Sequence, residues 1–108
     1  MTFKDMTCVP CRGGVSPLSE DQARAFLIET PGWTLVDGAT RLMREYKFSN
    51  FAQAQDFVNK IGTLAEAQNH HPDIAYGWGY AKLEILTHTI NGLHQNDFIL
   101  AAKIDALS

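Results

Sequence analysis

Cysteine is scarce in this chain. There are two residues, Cys8 and Cys11, set together in CVPC. A structural zinc site draws on four ligands, and there is no second cysteine pair to complete one. A thioredoxin-like C-x-x-C stands between a strand and a helix, whereas this one runs into RGGVSP, a loop composition. Residues 1–17 are therefore read as a flexible extension carrying two reduced thiols. A metal or disulfide shared between chains, or redox catalysis, are the alternatives. Positive charge is also in short supply. Nine Lys and Arg face 12 Asp and Glu, for a formal charge of −3 and a pI near 5.7. That excludes nucleic-acid binding through a general basic field. No apolar run approaches the roughly 18 residues of a membrane span, and the start, MTFKDMTCVPCRGG, lacks a signal-peptide core. The expectation is a soluble, cytoplasmic protein with no membrane and no nucleic-acid partner. There is no glycine-rich phosphate loop, no serine in a nucleophile elbow and no carboxylate pair suited to glycoside hydrolysis.

What remains is an ordinary globular balance. Of 108 residues, 45% are apolar and 19% charged, enough for one core. LSEDQARAFLIET reads as a helix capped by Ser19, with Gln22 three residues on. WTLV and TRLMREYKF flank Asp37-Gly38, a strong hairpin signal, although Arg44 interrupts the apolar face of the second strand. The longest helix covers about 50–68, with Phe51, Ala54, Phe57, Val58, Ile61, Leu64 and Ala65 at helical spacing. It should stop near Asn69, ahead of Pro72. DIAYGWGYAKLEIL is a second hairpin, turning at Trp78 between Gly77 and Gly79. THTINGL is a loop, and QNDFILAAKIDAL is the last helix. There His94 is the N-cap, Leu93 and Phe98 form a hydrophobic staple, and Asp97 falls at the third helical position. The fold class is α+β: a four-stranded antiparallel sheet with three helices on one face, in the order α-β-β-α-β-β-α, over residues 18–108.

Histidine is where the chemistry concentrates. His70 and His71 follow the long helix, His88 follows the fourth strand, and Glu66 is one turn before His70. Imidazole exchanges protons near neutrality, and three such rings at one rim of a sheet suit acid–base work. The plainer readings are surface or capping roles for each histidine, an ion pair for Glu66, a helix-start role for Asp97 and a packing role for Trp78 at its hairpin tip. Three histidines and a carboxylate could also bind zinc or iron. No histidine pair has the i, i+4 spacing of a helical chelate, however, and no metal is expected.

Glu66, three residues, His70-His71-Pro72, five residues, Trp78, nine residues, His88, eight residues, Asp97: this spacing resembles the signature of the pterin-4a-carbinolamine dehydratases. The resemblance implies removal of water from a 4a-hydroxy-tetrahydropterin, giving a quinonoid dihydropterin, with no metal and no redox cofactor. That hydroxypterin is what an aromatic amino acid hydroxylase leaves behind, so the step recycles its cofactor. The implied catalytic set is His70, His71 and His88. His70 and His88 are the main acid–base residues, while His71 mainly binds and orients the pterin. Glu66, Pro72, Trp78 and Asp97 are the implied substrate-site residues: Pro72 stiffens the bend and Trp78 offers an aromatic wall. A homodimer or homotetramer is also implied. The rival readings are a non-catalytic pterin-binding protein or dimerisation cofactor for a transcription factor, as in animal members of the family, and action on a different pterin.

Overall fold

Ser19 and Gln22 cap the first helix reciprocally. The Gln22 N–H donates to Ser19 Oγ at 3.2 Å and the Ser19 N–H to Gln22 Oε1 at 2.9 Å. Helix α1 then runs Glu20–Leu27. In the computed structural model, which describes residues 2–9 and 15–108, the elements continue as β1 (Thr34–Val36), β2 (Arg41–Lys47), α2 (Phe51–Gln68), β3 (Asp73–Gly77), β4 (Tyr80–Ile85) and α3 (Gln95–Asp105). Cys11, Gly13 and Gly14 lie outside the described residues. All strand pairs are antiparallel, in the order β1-β2-β4-β3, so the expected α+β architecture holds.

The first hairpin is wider than Asp37-Gly38 alone would make it. Val36 pairs with Arg41, which leaves four residues in the loop. Asp37, Gly38 and Ala39 all take positive φ, at 53°, 66° and 63°. The second hairpin is tight: Gly77 pairs with Tyr80, and Gly79 supplies the positive φ of 79° that a two-residue turn demands. One sheet face buries Leu42, Tyr46, Ala81, Leu83 and Ile85, while Glu45, Lys47 and Lys82 on the other are exposed. Arg44 shares the buried face because it has a partner there. Its Nη1 lies 3.0 Å from Asp105 Oδ1 on α3, and its guanidinium sits 4.5 Å from the Tyr46 ring centre. Trp33 Nε1 and the Tyr46 hydroxyl donate to the same carboxylate.

Helix α2 lays Ala54, Phe57, Ile61 and Ala65 on the sheet, with Phe57 between Tyr46 and Phe48 at ring distances of 4.7 and 5.3 Å. Phe51 is exposed instead and stacks on Tyr76 of the edge strand at 5.7 Å. The helix ends at Asn69, where the sequence places its stop, and Asn69 is left-handed at φ 52°. The Asn69 N–H donates to Glu66 O and the His70 N–H to Ala65 O at 3.2 Å, the paired bonds of a Schellman ending.

Helix α3 is the most enclosed. Asn96 to Ala101 and Ile104 are all buried, and so is Leu93 across the N-cap from Phe98. The described part of the N-terminal segment also lies against it. Phe3 is buried, 5.2 Å from Phe26 and 6.1 Å from Phe98 between ring centres. Residues 2–9, read from sequence as part of a flexible extension, are thus packed on the domain.

Asparagine tolerates the left-handed region better than other residues with a Cβ. Asn69→Ala should therefore destabilise the fold by about 1 kcal/mol, and Asn69→Gly should not. Urea unfolding of both variants checks this.

Candidate active site

Two helix ends and a short loop meet at one end of the sheet. The C-terminal end of α2 delivers His70 and His71, and the start of α3 delivers Asp97. The loop after β4 delivers His88. That loop is closed on itself: the Thr87 N–H donates to Gly92 O at 2.9 Å, a 3-10 turn spans His88–Ile90, and Asn91 is left-handed at φ 51°. His88 is thereby held outward and exposed. Its ring has no hydrogen-bond partner among the described residues. His70, His71 and His88 all line one cavity of about 530 Å³, a volume suited to a small heterocycle.

Asp97 lies beneath His70 with 0% exposure. One carboxylate oxygen is 2.6 Å from His70 Nε2. The other accepts from the Thr87 hydroxyl at 2.8 Å and from the His94 N–H at 2.8 Å. The second of these bonds makes a capping box of His94 and Asp97, the N-cap and third helical position expected from the sequence. His94 completes that cap by accepting from the Asn96 N–H at Nδ1, 3.0 Å away. An ionised carboxylate can only accept, so the His70 proton facing it is on Nε2. In the neutral ring Nδ1 then carries the free lone pair.

His71 has a carboxylate of its own. Its Nε2 is hydrogen-bonded to Glu66 Oε2, and both side chains are solvent-accessible, Glu66 to 78%. Counting along a helix would place Glu66 one turn before His70. The chain leaves the helix at Asn69, and Glu66 meets His71 instead. Pro72 joins His71 to β3 without lining the cavity. Trp78 is not brought to it either: it is 74% exposed at the far end of the β3–β4 hairpin, about 17 Å along the strand at ordinary rise per residue.

Sequence reasoning passed over several wall residues. Thr87 orients Asp97, Leu86 and Thr89 flank His88, and Asn96 adjoins Asp97. Thr7, Cys8 and Val9 form part of the wall as well. Only the position of Asn96 beside Asp97 offered a signal. The Cys8 thiol is pushed up from 9.0 to about 11, first by burial and then by the nearby Asp97 charge, with Lys103 opposing. Among the described residues, no group of three or more His, Cys, Asp or Glu side chains is arranged to hold a metal ion. No helix is long and apolar enough to cross a membrane.

Residues 16–107 match the family described as pterin 4 alpha carbinolamine dehydratase. A protein of Methylococcus capsulatus, provisionally named a pterin-4-alpha-carbinolamine dehydratase, is 54% identical over 101 residues, covering 94% of this chain and 89% of its own. One from Cupriavidus pinatubonensis with the same provisional name is 54% identical over 106 residues, covering 98% and 91%. Among solved structures, a transcriptional coactivator/pterin dehydratase from Brucella melitensis superposes with a TM-score of 0.79 at 29% identity, over 85% of this chain and 98% of its own. A pterin dehydratase-like protein described as a RuBisCO assembly factor in the alpha-carboxysome gives 0.61 at 25% identity, over 70% and 88%. With the family match spanning nearly the whole chain around the three-histidine cavity, the chain belongs to the pterin-4a-carbinolamine dehydratase family.

Proposed function

We propose that this protein dehydrates 4a-hydroxy-tetrahydropterin to quinonoid dihydropterin and water by histidine acid–base catalysis, returning the cofactor spent by an aromatic amino acid hydroxylase. The observation that carries this reading is the convergence of three imidazoles on one cavity, with His70 backed by a fully buried carboxylate.

The reaction breaks the C4a–O bond. The electron pair leaves with oxygen, which takes a proton to become water, and a ring nitrogen gives up a proton as the C=N bond forms. One group must therefore supply a proton and another must take one. His70 and His88 are the acid–base pair. Asp97 holds His70 with Nε2–H directed away from the reaction and steadies the ring when it is protonated. His88, without a partner, is free to turn towards the substrate. His71 binds and orients the pterin, with Glu66 setting the direction of its ring. Trp78 has no part in this scheme within one chain.

The two structural neighbours, described as a transcriptional coactivator/pterin dehydratase and a RuBisCO assembly factor, favour a second reading, a binding or assembly role with catalysis dispensable. The two readings separate in one assay: decay of freshly generated 4a-hydroxy-tetrahydropterin, followed by absorbance. The protein should accelerate it, and His88→Ala should lose on the order of 100- to 10,000-fold in turnover. Background decay with the unmodified protein would favour the binding role.

Asp97→Asn would keep the side chain's shape but remove the charge opposite His70. It should lower kcat and shift its pH profile, whereas loss of a purely structural cap would lower stability and leave the profile in place. Kinetics across pH, paired with thermal melts, distinguish the two.

The strands β1 and β3 leave both sheet edges open, an arrangement that proteins commonly cover. A homodimer or homotetramer is expected. Light scattering should give a mass at least twice the 12.0 kDa of the chain.

A further inference from the structure

The family match begins at residue 16, yet part of the cavity wall comes from residues 7–9. These residues are fastened at two points. The Cys8 N–H donates to Gln68 Oε1 at 2.9 Å, on the last residue of α2. The Val9 N–H donates to Asn96 Oδ1 at 2.9 Å, and Asn96 Nδ2 donates back to the Val9 carbonyl. Asn96 is 1% exposed, so its amide is matched to this one stretch of backbone. Without the segment, both amide atoms would lose these partners, at the cost that buried orphaned polar groups carry. The Cys8 thiol adds a contact to the Asn96 carbonyl at 3.6 Å. Residues 8 and 9 thus bridge the end of α2 to the start of α3, the two helix ends that present His70, His71 and Asp97.

We propose that Thr7–Val9 are a built wall of the substrate cavity, held by Gln68 and Asn96, and that they set how tightly a pterin is bound and which ring substituents fit, without taking part in proton transfer. This rests on the dehydratase reading above. The wall is fastened mainly through the backbone of Cys8 and Val9, so the Thr7 and Val9 side chains are free to vary the shape and polarity of the cavity. Val9 and Thr7 are exposed, and the high thiol pKa keeps Cys8 protonated and uncharged near neutrality.

Two variants release the wall from opposite sides. Val9→Pro removes the N–H donor to Asn96 without changing any residue of α2 or α3. Asn96→Ala removes the clasp but lies next to Asp97, so thermal melts accompany it. Val9→Pro loses one of these hydrogen bonds and Asn96→Ala both, and each should raise KM roughly tenfold, about the worth of one to two hydrogen bonds, with kcat within about twofold. The double variant should be little worse than either alone, because both break the same contact.

Release is read independently from Cys8 in a Cys11→Ser background, where it is the one thiol left. With the thiol pKa near 11 rather than 9.0, its alkylation by iodoacetamide at pH 8 should be about 100-fold slower than that of an ordinary thiol. It should speed up in both released variants, and 7,8-dihydrobiopterin should slow it in the intact protein. Faster alkylation with unchanged KM would overturn the proposal, as would a fall in kcat at constant KM. Unchanged alkylation in both variants would show that these bonds do not hold the wall. If 7,8-dihydrobiopterin quenches protein fluorescence but leaves Cys8 unprotected, the wall role fails and the pterin reading stands. If it neither binds nor protects, and turnover is absent, both fail together.

Discussion

Asp97 is a carboxylate with no exposed surface, and the arrangement of the site depends on how it is satisfied. Burying a charge costs several kcal/mol unless hydrogen bonds replace the water it gives up. Here three donors do so: the His70 ring, the Thr87 hydroxyl and the His94 N–H. They come from the segment after α2, the loop after β4 and the cap of α3. Removing any one donor leaves the charge less well matched, so the three segments are drawn to a common point. The positive end of the α3 dipole adds to the effect. The bond that begins a helix is in this way also one of the bonds that assemble the candidate site.

The other end of α3 repeats the device in weaker form. Asp105 takes the Trp33 indole N–H, the Arg44 guanidinium and the Tyr46 hydroxyl. A carboxylate at a helix C-terminus opposes the dipole, and Arg44 offsets that. Between these two polar anchors, eight residues apart, α3 buries Phe98, Ile99, Leu100, Ala101 and Ile104. Apolar burial supplies the attraction but does not choose a direction. The two carboxylates, each with a different set of donors, fix the helix along its axis. His70 therefore meets Asp97 in a defined register.

Whatever depends on neighbours in sequence was legible before the structure. The Ser19 capping box, most of the stripe on α2 and the two hairpins are local patterns and are found, although Phe51 is exposed and the first turn is wider than expected. The fold class followed from their order. What escaped depends on distant contacts. Arg44 looked like a flaw in an apolar alternation because its partner is 61 residues away. Phe3 looked like part of a tail because its ring partners are on α1 and α3. The end of α2 at Asn69 was foreseen, but its left-handed conformation, φ 52°, was not. At the site, the histidines were legible as residue types at element ends. The pairing of Glu66 with His71 was not, because it follows from where the helix stops. Trp78 was placed in the site by motif spacing, and strand geometry carries it to the far end of its hairpin.

Two adjacent histidines can do different work only if their surroundings differ, and the ending of α2 makes them differ. The bond from the His70 N–H to Ala65 O holds the backbone where one side chain reaches inward to a sealed carboxylate and the next reaches a carboxylate open to solvent. Interactions of the buried pair are little weakened by salt, whereas those of the exposed pair are screened and compete with water. His70 is consequently held to one tautomer and one orientation. His71 keeps the freedom to adjust to a ligand. A proton-transfer group needs the first condition, because the reacting atoms must be aligned before the barrier is crossed. A binding group tolerates the second. The division of labour proposed for His70 and His71 thus rests on the burial of their two partners, Asp97 and Glu66, which sit on either side of the left-handed turn at Asn69.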